Sequence, residues 1–201
     1  MDGHIESMAR QSNRERILSE GLKVVHQRGF AGASVRDIVQ AAGVPQGSFT
    51  NHFASKEAFG LEIIDRYFEA SRDILAATLG DRELAPLRRL EAYVDATTCR
   101  GGDSGVRHGC LLGNFTAEAS EHSEAMRGRL VEIFAEVRTQ IAGCLAEAVK
   151  AGDLPQGFDA EGVAGFILAS LQGAILLAKA ERSPEPVEQL KQVLFASVLK
   201  N

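Results

Sequence analysis

The return of apolar residues at helical spacing, from near the start of the chain almost to its end, most restricts what this sequence can fold into. Leu18, Leu22 and Val25 recur every three or four positions, as do Leu130, Phe134, Val137, Ile141 and Leu145, while alternation of period two is hard to find. Such a period gathers apolar side chains on one stripe of an α-helix. The expected fold class is therefore all-α. At 45% apolar and 24% charged residues over a length of 201, the chain has the balance of a globular protein with a real core, forming one large domain or two small ones.

Start and stop signals divide the chain into about nine helices. Ser12 with Glu15 opens the first and Gly29 closes it; Ser34 with Asp37 opens a short second one over 35–42 that stops at Gly43. After Gly43-Val44-Pro45 a third occupies 46–53, and a fourth starts at Lys56 with Ile64, Tyr67, Phe68, Ser71 and Leu75 on one face. A fifth runs from about 83 to 99 with Pro86 in its first turn, a glycine-rich break follows at 101–105, and a sixth covers 108–119. Ser123 caps a long seventh, Asp159 an eighth, and Ser183-Pro184 begins a ninth carrying Val187, Leu190, Leu194 and Val198. The apolar run 163–178 contains Ser170 and Gln172 and is short of the roughly 20 residues of a membrane span, so a buried helix and no membrane association are expected. No apolar signal segment precedes residue 16, and three cysteines (Cys99, Cys110, Cys144) without CxxC spacing argue against a disulfide framework or a four-ligand zinc site. A cytoplasmic protein is expected.

Two short helices joined by Ala42-Gly43-Val44-Pro45 form a helix-turn-helix pattern, whose second helix presents its N-terminal residues to a major groove. The surrounding residues sharpen it: Gly29-Phe30, Ser34-Val35-Arg36-Asp37-Ile38, Ala41-Ala42-Gly43-Val44, Gly47-Ser48-Phe49 and His52-Phe53-Ala54-Ser55-Lys56-Glu57. Over about residues 10–60 this run closely resembles the DNA-binding head of the tetracycline-repressor (TetR) family of bacterial transcriptional regulators. The resemblance implies a DNA-binding domain at 1–56 and a ligand-binding and dimerisation domain at 57–201. It also implies DNA contacts from Ser34, Arg36, Gln46, Ser48, Thr50, Asn51, His52 and Lys56, with Gln46, Ser48 and Asn51 toward base edges and Ser34, Thr50, His52 and Lys56 toward the backbone. Arg10 and Arg14 would form a basic arm. Where the family usually carries a tyrosine in the recognition helix this chain has Thr50, whose hydroxyl reaches less far, and Asn51 beside it can read adenine or hold a phosphate. Ile38, Val44, Phe49 and Phe53 are expected to be the head's core.

The charge distribution points the same way. Overall the chain is at −5, which excludes a strongly basic coat, but residues 1–56 hold seven basic and five acidic residues, a net of +2, leaving −7 on the rest. A basic head on an acidic body is oriented toward a polyanion by its own field.

The remaining residues are expected to build a small-molecule cavity, for which the resemblance implicates Tyr67, Phe68, Tyr93, Thr97, Cys110, Asn114, Phe115 and Phe134; aromatic residues at helical spacing are otherwise core. Cys110 follows a glycine break near a helix start with Arg107 and His108 close by, the setting of an electrophile-sensing thiol; the alternative is a small buried hydrophobe. His108, Cys110 and Glu118 make only a weak metal constellation, and no cofactor is expected. The eighth helix is apolar on more faces than one subunit covers, with Gly165, Ala169 and Gly173 at four-residue spacing, so a homodimer through the eighth and ninth helices is expected. The function implied is a ligand-responsive regulator, a repressor, that binds a palindromic double-stranded operator and is released by a small molecule or electrophile. A helical-bundle enzyme is the first rival, but there is no Ser-His-Asp order, ExxH pattern or phosphate loop. A DNA-binding module without an inducer is the second.

Overall fold

The computed structural model describes residues 12–98, 103–119 and 121–200, and among these all regular structure is helical. The helices are α1 (Asn13–Arg28), α2 (Val35–Ala42), α3 (Gly47–His52), α4 (Lys56–Ala77), α5 (Pro86–Thr98), α6 (Asp103–His108), α7 (Leu111–Ala119), α8 (Glu124–Ala151), α9 (Ala160–Glu181) and α10 (Glu185–Val193), the last widening into a π-helical turn at Leu194–Val198. The chain forms two compact units, the first reaching Ile63 and the second starting at Ile64. Arg10 and Cys99 lie outside the described residues.

In the first unit, the head, α1 is capped by Ser12, which accepts from the Glu15 amide at 3.2 Å, and α2 by Ser34, which exchanges hydrogen bonds with Asp37 in a full capping box. Gly43 ends α2 in the left-handed region (φ 60°), a conformation that favours glycine, and turns the chain into α3. Three rings close the core: Phe59 lies 5.3 Å from Phe49 and 5.2 Å from Phe53 between centroids. Gly21 is kept small by Phe59, whose ring tip lies 2.6 Å from where a Cβ would stand. Because Phe59 is on α4, the compact head takes in the first turns of that helix and does not end at its first residue.

In the second unit, the body, α8 is the long central helix; it packs on α5, α7 and α9, and buries Leu130, Ile133, Val137, Ile141 and Leu145 along one stripe. Three boundaries differ from expectation. The helix expected over 108–119 is two helices, because Gly109 takes a positive φ of 69° and breaks the ladder between α6 and α7. Next, α5 begins at Pro86, since the Asp81 side chain accepts from the Glu83 amide and holds 81–83 in a turn. Finally, α9 is not a buried helix: it is long and apolar enough to cross a membrane, yet only 28% of its apolar window is buried, and Phe166, Leu176 and Leu177 are exposed. The stripe of α10 does the opposite, with Val187 and Leu190 packing on Ala174 and Ala178 of α9 inside the same subunit.

Candidate functional site

On the head, α3 divides its residues by helical phase. Phe49 and Ser48 turn inward at 3% and 9% exposure, while Gln46, Thr50, Asn51 and His52 are exposed. Four of the five expected contacts at 46–52 thus share an open surface; Ser48, expected at a base edge, is instead buried against the head's core. Thr50 returns its hydroxyl to the Gly47 carbonyl at 3.1 Å, whereas no side-chain hydrogen bond is formed by Gln46 or Asn51 among the described residues. Space beside Gly47 is open, so the first turn of α3 carries bare backbone there. Arg36 is exposed on α2, while Ser34 is committed to its cap. The Asp37 carboxyl is held below its ordinary value by the Ser34 hydroxyl and amide and by Arg28, at 2.8 Å. Two expected phosphate ligands are engaged inside the head. Lys56 is half-buried, with its ammonium 2.6 Å from the Phe30 carbonyl and over the Phe30 ring at 4.7 Å. Arg14 pairs with Glu62 and stacks over Phe53 at 5.4 Å, so it is a packed side chain and not a free arm.

In the body, residues of α4, α5, α6, α7, α8, α9 and α10 line a cavity of about 130 Å³. Of the eight residues expected to bind ligand, Tyr67, Phe68, Tyr93, Thr97, Cys110 and Phe134 line it. Asn114 does not; it donates to the His108 carbonyl and accepts from Lys179, both at 3.0 Å, on a neighbouring open groove. Phe115 is corrected to core: at 1% exposure it lines neither opening. Burial pushes the Tyr93 phenol up to about 12 against the opposing pull of the Thr97 hydroxyl, so it stays protonated and able to donate across the physiological range. Cys110 is a free, half-buried thiol that lines both cavity and groove. Cys144 is core, its thiol 3.1 Å from the Pro86 carbonyl and pushed up by burial. Among the described residues no group of three His, Cys, Asp or Glu side chains is placed to hold a metal.

The chain matches two family models: residues 17–63 match "Bacterial regulatory proteins, tetR family" and residues 86–194 match "Tetracyclin repressor-like, C-terminal domain". The chain belongs to the TetR family. It is 38% identical to the HTH-type transcriptional repressor DhaR of Mycobacterium sp. (strain GP1), across 96% of this chain and 95% of that one. Identity to the repressor NemR of Escherichia coli K12 is 31%, across 94% and 92%. Among solved structures, the regulatory protein TetR from Rhodobacter sphaeroides superposes with a TM-score of 0.85 at 29% identity, covering 90% of this chain and 96% of that one.

Several residues of this TetR-family body were not marked by sequence. Thr98 and Gln172 join the cavity wall, beside Ser71 on the expected face of α4. Two ion pairs tie α4 to α8 in register, Asp65 with Arg129 at 2.6 Å and Arg72 with Glu136 at 2.8 Å, and Arg72 also stacks over the cavity residue Phe68 at 4.7 Å. Arg72 holds the Glu136 carboxyl below its ordinary value. At the far end of α4, Arg89, 4% exposed, donates to the Leu79 carbonyl and pairs with Glu147 at 2.6 Å. The seven-residue spacing of 65 to 72 and of 129 to 136 is the one signal that could have pointed to the ladder. The exposed apolar groups Val131 and Leu176 line a groove between α8 and α9 that also contains Gly165, Ala169 and Gly173, and Phe166 is exposed on α9.

Proposed function

We propose that this TetR-family chain is a cytoplasmic, ligand-responsive transcriptional repressor that binds a palindromic operator as a dimer and is released when a small molecule enters the body's cavity. The observation carrying this reading is α4, which supplies Phe59 to the head's core and Tyr67, Phe68, Ser71 and Ile74 to the cavity wall. A ligand that fits one position of that helix better than another shifts the heads between DNA-competent and DNA-incompetent populations. The ion pairs of Asp65 and Arg72 with α8 make this segment of α4 move with its neighbour. Repression follows the names of the relatives DhaR and NemR.

Gln46 and Asn51 are the base readers in this proposal, Arg36, Thr50 and His52 position the backbone, and Ser34 and Lys56 act mainly by holding the head together. The dimer forms where α8 and α9 expose Val131, Phe166, Leu176 and Leu177 beside small residues that permit close crossing. The α10 stripe is covered within its own subunit, so α10 contributes at the margin through Val193. Two-fold pairing sets two recognition helices about one DNA turn apart. Selection of bound DNA from a random pool, followed by a screen for compounds that release it, tests the reading. Recovery of a palindrome and a releasing compound is expected; no sequence preference in the selected pool would sink it.

A second route of release is favoured by Cys110, which reaches both the cavity and the open groove. A solved structure of E. coli NemR is described as the reduced form of that protein. Electrophile modification of Cys110 would add bulk to the cavity wall. Cys110→Ser should then abolish release by electrophiles while sparing release by unreactive ligands, and an unchanged electrophile response in that variant rejects this route.

A further inference from the structure

The cavity's size, its hydroxyls and the charge of its described lining together restrict what it can hold. Its volume of about 130 Å³ is slightly less than the roughly 150 Å³ that accommodates a benzene ring in an engineered protein cavity, and well below the hundreds of Å³ of drug-sized sites. A fused two-ring compound exceeds that volume. The walls are not purely apolar, however. Ser71 returns its hydroxyl to the Tyr67 carbonyl at 3.0 Å, and Thr98 returns its own to the carbonyls of Val94 and Asp95. Tyr93 and Thr97, one turn apart on α5, both line the cavity, and neither returns its hydroxyl to the backbone among the described residues. Both hydroxyls stand at the wall.

Charge is the third restriction. Among the described lining residues Glu188 is the single carboxylate, 64% exposed and 3.5 Å from Lys191, and none of these described residues is a Lys or Arg. The described lining offers a carboxylate or phosphate ligand no countercharge for its desolvation, and offers an ammonium only a carboxylate already solvated and paired.

Resting on the reading of this cavity as the inducer site, we propose that its ligand is an uncharged molecule of at most one six-membered ring, about seven non-hydrogen atoms, bearing an oxygen that exchanges hydrogen bonds with Tyr93 and Thr97. Selectivity for hydroxyl or carbonyl compounds over hydrocarbons of equal size comes from those two residues, since an apolar ligand offers the Tyr93 and Thr97 hydroxyls no partner beyond one another in a desolvated wall.

The test is calorimetric titration of the full-length chain with phenol, toluene, benzoate and 2-naphthol. Phenol is expected to bind once per subunit, toluene at least tenfold more weakly, and benzoate and 2-naphthol not measurably. Tyr93→Phe keeps the ring and the packing, and should weaken phenol at least tenfold while leaving toluene unchanged; Thr97→Val should act in the same direction. Benzoate or 2-naphthol binding as tightly as phenol would overturn the assignment, as would phenol binding unaltered by Tyr93→Phe or no phenol binding at all. Operator affinity measured in the same samples separates the two readings. If phenol binds as expected and operator affinity stays constant, the ligand class stands and the inducer role fails. If only charged or multi-ring compounds release the operator, the repressor stands and the ligand class fails.

Discussion

The head and the body treat apolar surface in opposite ways. In the head, Phe49, Phe53 and Phe59 fill the space between helices so closely that Gly21 cannot carry a methyl group, and the exposed face of α3 is polar. In the body, a wall of Tyr67, Phe68, Tyr93 and Phe134 leaves about 130 Å³ unfilled, and α9 carries Leu176 at 64% and Leu177 at 53% exposure. A unit that reads DNA has to present a few side chains in one fixed geometry. One that responds has to keep room for a ligand and an apolar face for a second copy.

The largest effect expected is on the head's filled core. Phe59→Ala should cost about 3–5 kcal/mol, the range for a buried aromatic truncated to alanine, and unfold the head at temperatures where the body still melts cooperatively. A single transition shared by both units in calorimetry would break the contrast. On the body, Glu147→Gln leaves the buried Arg89 guanidinium without its carboxylate and should cost about 2 to 3 kcal/mol, toward the lower end because Glu147 is partly solvated. The same pair sets an acid limit. Glu147, held low by Arg89 and Arg82, and Glu136, held low by Arg72, have folded pKa values below the ordinary 4.5. Their stabilisation is complete above that value and is lost as the pH falls through the folded values. The wild-type body should therefore lose melting temperature on acidification below about pH 4.5, and the Glu136→Gln, Glu147→Gln double variant should lose less over the same interval.

Leu176→Glu sharpens the comparison at the exposed face. It should leave the monomer fold intact and raise the dimer dissociation constant at least tenfold in sedimentation, with operator affinity falling in step. Asn51→Ala should relax preference at one base position by about 1–3 kcal/mol, the worth of a good amide contact, without altering the head's melting. Smallest is Ser34→Ala, which removes the α2 cap and should destabilise the head by about 1 kcal/mol in denaturant titration.

Much of the fold was legible because its signals are local. Ser12, Ser34, Ser123 and Asp159 each cap the helix expected of them, since a capping oxygen and the amide it accepts are only two or three residues apart. Gly109 was read as part of a helix because nothing within one turn shows that its φ is positive; that depends on how the chain enters α7. The recognition helix could be located, yet the inward turn of Ser48 and the capture of Lys56 by the Phe30 carbonyl depend on contacts across the head. Phe115 and Phe134 illustrate the same point in the body. Both are aromatic residues at helical spacing, but one fills core and the other faces a cavity.

From sequence alone came the all-helical class, the head with its short reading helix, a net charge of +2 on residues 1–56 against −7 beyond, and the excess of apolar surface on the eighth expected helix. These follow from periodicity, capping and composition, which act over a turn or two of chain. Tertiary structure decided which side chains surround empty space, which cations are already paired and which apolar stripe is left open. Those outcomes depend on neighbours brought together from distant parts of the chain, as when Glu136 meets Arg72 and Thr97 shares a wall with Gln172.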